Sequence, residues 1–211
     1  MVGHMPSDGR VPVSRPPRAE VRERLLDAAT ALISQRGVHA TTLDDVARAA
    51  GFSKGAVYSN FASKSELVVT LLTRETEGAL DALREMGLPG TDLADLPGAV
   101  RDAFAPYAQS TADDFSLMSE FRAHALEDDV VMAAFVAKRR AVLDTLREQV
   151  ELVFGGQTEA ATGLSSDLLA RLLIDVALGS AFDAPATGDV GPGELMGHVV
   201  GALTRSVLGR A

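Results

Sequence analysis

An all-α fold is what this sequence predicts, and three observations predict it. Apolar residues recur at spacings of three and four along most of the chain, and runs of alternating β-branched residues are absent. Leu, Ala, Glu and Arg, all good helix formers, are abundant. Gly and Pro gather in a few short clusters that cut the chain into helix-length pieces. The 211 residues suit one or two small domains, and an apolar fraction of 46% is ample for a packed core.

Residues 1–17 hold Pro6, Pro12, Pro16 and Pro17 without a periodic apolar pattern, and are expected to form a disordered tail. Gly3-His4-Met5 has the look of a cloning remnant, with Met5 the natural start. Arg10, Arg15 and Arg18 could reach a minor groove as a basic arm, a solvated tail being the plainer reading. The first helix is predicted over 18–36, where Val21, Leu25, Ala28, Ala29, Leu32 and Ile33 share a face and Gly37 ends it. Thr42 caps a second helix, with Asp45 three residues on favouring the positive helix end, and Leu43, Val46, Ala47 and Ala50 form its buried stripe. Gly51 supplies a turn at positive φ. Ser53 caps a third helix from Lys54 to Phe61, with Val57 and Phe61 pointing inward. Ser63-Lys64-Ser65-Glu66 is a capping box that opens a fourth helix reaching to Met86. Apolar residues from Leu67 to Leu83 run its whole length, so it should join the first three helices to whatever follows.

Gly87-Leu88-Pro89-Gly90 stops that helix. Further helices are predicted from Leu96 to Gln109, with a kink or break at Pro106; from Thr111 to Leu126; and from Asp128 or Asp129 to Phe154. The segment GGQTEAATG reads as a loop. Two last helices, over 165–182 and 193–208, are separated by DAPATGDVGP. In the first of them Leu168, Leu169, Leu172, Leu173, Ile174, Val176, Ala177 and Leu178 wrap most of the way round. A helix apolar on more than one face has more than one face to bury, so one side should line the core and the other meet a partner chain; a single deep core is the alternative.

Two short helices joined by a glycine turn, the second carrying small hydrogen-bonding residues, form the helix-turn-helix of DNA binders. With its flanks, from about Arg22 to Leu72, the stretch resembles the N-terminal domain of the tetracycline-repressor-like (TetR) family of transcription regulators. The resemblance rests on Ala-Ala-x-x-Leu-Ile ending at Gly37, Thr-Thr-Leu-x-Asp-Val-Ala, Gly-x-Ser-Lys-Gly-x-x-Tyr-x-x-Phe, and Ser-Lys-x-Glu-Leu. It implies a three-helix DNA-binding domain at 18–67, joined by the long helix to a helical ligand-binding and dimerisation domain at 68–211. It implies a ligand-responsive regulator, a repressor, on a palindromic double-stranded DNA operator, with recognition helices about 34–36 Å apart. The last two helices would pair across a two-fold axis to make the homodimer.

Thr42 would then hold a phosphate by its hydroxyl and backbone N–H. Ser53, Lys54, Gly55, Ala56, Ser59 and Asn60 would face the bases, with Gly55 and Ala56 permitting close approach and Lys54 reaching guanine or phosphate. Tyr58 and Lys64 resemble phosphate clamps. The position before Phe61, most often His in that family, is Asn60 here and keeps hydrogen-bonding capacity. A small-molecule effector is implied too, in a pocket between the middle helices. Phe104, Tyr107, Phe115, Met118, Phe121, Met132 and Phe135 are the candidates for its lining, with Arg122 and His124 as polar handles.

Charge fits this division. Residues 1–67 hold nine Lys and Arg against seven Asp and Glu, and the remainder eleven against twenty-two, so only the first part can sit on phosphates. Enzyme chemistry finds no footing: His4, His39, His124 and His198 are far apart, Cys is absent, and no glycine-rich phosphate loop is present, so neither cofactor nor metal is expected. No apolar run approaches the roughly 18 residues of a membrane span, and a cytoplasmic protein is expected. The reading from another class is an all-helical interaction module whose helix-turn-helix docks a protein.

Overall fold

The computed structural model describes residues 16–108, 112–187 and 190–208, and among them every regular element is helical. The tail positions Arg10 and Arg15 lie outside the described residues. The helices are α1 (Arg18–Arg36), α2 (Leu43–Ala49), α3 (Lys54–Asn60), α4 (Lys64–Glu85), α5 (Leu96–Ala108), α6 (Ala112–Ala125), α7 (Asp129–Val153), α8 (Thr158–Thr162), α9 (Ser166–Thr187) and α10 (Pro192–Leu208).

The described caps fall where the sequence puts them; Thr111, expected to open α6, lies outside the described residues. Thr42 and Asp45 close a full capping box on α2, Ser53 accepts from the Ala56 N–H, and Ser63 accepts from the Glu66 N–H. Gly51 has φ +75° in the turn between α2 and α3. Asp128, through its side chain on the N–H groups of Val130 and Val131, starts α7. Three expectations are corrected. Helix α5 runs through Pro106 to Ala108. The segment expected as a loop after Phe154 contains the short helix α8, ended by Gly163 at φ +74°. Helix α9 continues past residue 182 to Thr187, into the stretch expected as a linker.

Two hydrophobic cores organise the molecule. The first unites Leu25, Ala29 and Ile33 of α1, Val46 of α2, Val57 and Phe61 at α3, and Leu67 to Leu72 of α4. It also takes in Leu117, Phe121 and Ala125 of α6 and Val131 of α7, from well beyond residue 67. The second core joins Leu83 of α4 with Val100 and Phe104 of α5, Leu146 and Val150 of α7, Leu169 and Leu173 of α9, and Met196 and Val200 of α10. Helix α4 therefore passes from one core into the other, as its continuous apolar stripe requires. Among the described residues no helix is long and apolar enough to cross a membrane.

Candidate nucleic-acid interface

Helix α3 is amphipathic across its seven residues. Val57 and the following Phe61 are fully buried, which fixes the opposite side outward. Ser53, Lys54, Gly55, Tyr58 and Ser59 are exposed, Tyr58 to 55%, while Ala56 is half-buried. A Cβ added at Gly55 would approach only the Ser53 hydroxyl, at 3.8 Å, so that side of the helix is open for another molecule to come close. Lys54 is ion-paired with Asp44 on α2, whose carboxylate raises the lysine pKa above its ordinary value.

Three expected contacts take a different form. The Asn60 side chain is buried and its amide donates to the Ala56 carbonyl at 2.8 Å, so it belongs to the interior of the reader and not to its outer face. Thr42 does not offer free donors: its N–H and its hydroxyl both donate to Asp45 Oδ2, at 3.2 and 2.8 Å. Those bonds, with Arg36 2.7 Å away, hold the Asp45 carboxyl down to about 2. Lys64 is half-buried and donates to the His39 carbonyl at 3.3 Å, and burial lowers its pKa. Arg48, exposed on the last turn of α2 and paired with Asp45, is a cation on this side that sequence reasoning passed over. Its position in the final turn of the first helix of the motif was the available signal.

The residues expected to line an effector pocket are divided between the two cores. Met118, Phe121, Met132 and Phe135 belong to the first core, packed against the reader. His124 sits there too, its ring edge-on to His39 with centroids 5.3 Å apart. Arg122 is exposed. The side chains of Tyr107 and Phe115 lie outside the described ones. Among the described side chains of the set, Phe104 alone lines the apolar cavity inside the second core, with Leu88, Leu146, Phe154 and Met196 among its neighbours. That cavity is small, about 40 Å³ in volume, and among the described residues Gln149 is its one polar lining residue. The sequence could not assign these residues, because aromatic and Met side chains look alike in either core.

The comparisons with known proteins agree with this geometry. Residues 25–71 match the model of the bacterial regulatory proteins, tetR family. The chain is 30% identical over 166 residues to the transcriptional activator FasR of Mycolicibacterium smegmatis, covering 79% of this chain and 66% of that protein. It is 30% identical over 156 residues to the transcriptional regulator AcrR of Shigella flexneri, covering 72% of this chain and 70% of that one. Over a shorter span, 34% of this chain and 35% of the relative, it is 38% identical to the transcriptional repressor KstR2 of Rhodococcus jostii. Among solved structures, Salmonella enterica GusR superposes with a TM-score of 0.72 at 21% identity, over 92% of this chain and 98% of that one. A SmeT–triclosan complex does so with 0.64 at 22%, over 90% and 91%. Those two likenesses bear on the fold, whereas the match to FasR and AcrR runs well past the helix-turn-helix; this chain belongs to the TetR family of DNA-binding transcription regulators.

Proposed function

We propose that the protein is a ligand-released repressor that binds a palindromic operator as a homodimer, residues 18–67 reading DNA and residues 68–211 binding effector and partner. The exposed row Ser53, Lys54, Gly55, Tyr58 and Ser59 carries the reading: small, hydrogen-bonding and cationic groups stand on the outside of a helix whose inner side is locked in a core. The apolar lining of the small cavity in the second core supports an effector that is largely apolar and uncharged, since no charged group is among its described lining residues, and the helices around it would have to part to admit one. Leu168, Leu172 and Leu178, exposed on α9, support a partner chain covering that face. Of the relatives, KstR2 is a repressor and FasR an activator.

Fluorescence anisotropy on the palindromic DNA flanking the protein's own gene, at two salt concentrations, tests the DNA reading. Tight, salt-sensitive binding by two chains per site supports it. No preference over random DNA, there and in a selection from random sequences, overturns it in favour of the protein-docking module. Leu172→Glu should convert a dimer to monomers in sedimentation, and an effector that occupies the cavity without weakening DNA binding would refute the release mechanism.

A further inference from the structure

We propose that Arg22 is a positioning residue for DNA reading, part of a clamp by which α1 holds both helices of the helix-turn-helix by their C-terminal carbonyls. The inference rests on the DNA reading proposed above and adds residues that touch no base. Helix α3 has no basic residue in its own last turn, although its final carbonyls lack helical partners and carry the negative end of the helix dipole. Helix α1 supplies the missing cations. Arg22 Nη1 donates to the Asn60 carbonyl at 3.1 Å, and its Nη2 donates to the Thr70 hydroxyl of α4 at 3.2 Å. The guanidinium also stacks 4.5 Å from the centroid of the Phe61 ring, immediately after α3. One side chain thereby ties three helices together.

The same device recurs twice. Arg18 donates to the Ser59 carbonyl at 2.9 Å. Arg24 donates to the Ala50 carbonyl at the end of α2 at 3.2 Å, with its guanidinium 4.6 Å from the Phe52 ring. A seven-residue helix is too short to hold its own shape, so its ends must be fixed from outside. A planar fork that donates twice and stacks at once is a task for arginine; the lysine ammonium has no such plane. Arg22 is half-buried against Phe61, so it sets the pose of Lys54, Gly55 and Tyr58 without itself meeting a phosphate.

The test uses the full chain with Arg22→Gln and Arg22→Lys, against Lys64→Ala. Arg22→Gln should lose operator affinity on the order of tenfold, at a temperature where it is fully folded, with random-DNA affinity and salt slope unchanged. Arg22→Lys should recover only part of that loss. A fall in the salt slope by about one contact would mean that Arg22 binds phosphate directly, and an unchanged ratio of operator to random affinity, or full recovery by Lys, would overturn the clamp. In the DNA-free protein, amide exchange of Val57 to Phe61 should quicken in Arg22→Gln and stay slow in Lys64→Ala. Exchange at the wild-type rate overturns the clamp even if the wild type binds no operator, which would separately end the DNA reading. Should Arg22→Gln not fold, Thr70→Val, which removes one partner and leaves the arginine, carries the same measurements.

Discussion

Lys54 stands on the outer side of α3 already paired with Asp44, so under the proposed DNA reading any phosphate or guanine must compete with a carboxylate for it. Asp44→Asn removes the competitor and should raise affinity for random DNA several-fold at low salt, an exposed pair being a weak one; binding titrations with Lys54→Ala as control check this. A Cβ at Gly55 would make only an ordinary contact with the Ser53 hydroxyl, at 3.8 Å, and the residue has no positive φ. Gly55→Ala should therefore raise helix stability by about 0.5–1 kcal/mol in thermal unfolding, while lowering operator affinity on the order of tenfold because a methyl intrudes on the closest approach. A variant that gains stability and keeps full affinity would remove Gly55 from the interface. The exposure of Lys54, Gly55 and Tyr58 was legible in the sequence because Val57 and Phe61 fix the helix phase. The fate of Asn60 was not, because it depends on Arg18 and Arg22 arriving from α1 over the end of α3.

Among the elements, α10 shows how a pattern can be present and unread. Gly193, Gly197 and Gly201 recur every four residues and lie against α5. A Cβ at Gly193 would stand 2.6 Å from the Arg101 carbonyl oxygen, and one at Gly197 2.9 Å from that of Pro97. Those are backbone atoms of a packed helix and cannot turn aside. Gly197→Ala should thus cost about 1–3 kcal/mol in denaturant unfolding, against the usual gain for Gly→Ala in a helix. The stripe fixes the orientation of α10, placing Met196 and Val200 in the second core and leaving Glu194, His198 and Ala202 outward. Helix α6 is positioned by a different device. Its Glu120 accepts from the Val38 N–H at 2.8 Å, across the turn that Gly37 makes at φ +84°, so a carboxylate fastens α6 to the turn between α1 and α2.

Across the whole molecule, the reader and the body meet around His124. Its side chain is 12% exposed and neither ring nitrogen has a hydrogen-bond partner. His39 faces it from the turn after α1, Lys64 from α4, and Asp128, 4.0 Å away, from the start of α7; Glu127 pairs with His39. Burial, then Lys64 and His39, hold the His124 pKa below its ordinary value of 6.5, the two carboxylates opposing only in part. The folded protein therefore resists a proton that the unfolded chain accepts, so stability is intact above the unfolded pKa and declines as pH falls below it. Melting temperature should drop from about pH 7.5 to about pH 5.5, and His124→Leu should flatten that slope. Asp45 and Asp128 act in a separate window: their depressed pKa values contribute stability that is lost only as pH falls below the ordinary carboxylate range.

The sequence by itself determined what is local. Helix periodicity, capping side chains and the positive-φ glycine of the turn act within a few residues, so the all-α class, the start of each capped helix and the outer side of α3 could be read directly. Tertiary structure alone decided what is shared between distant segments. Phe104 and Phe121 are both buried aromatics on middle helices, yet one lines the cavity of the second core and the other joins α6 to the reader. Apolar burial is non-directional: it says that such a side chain must leave water, and only the packing of whole helices says against what.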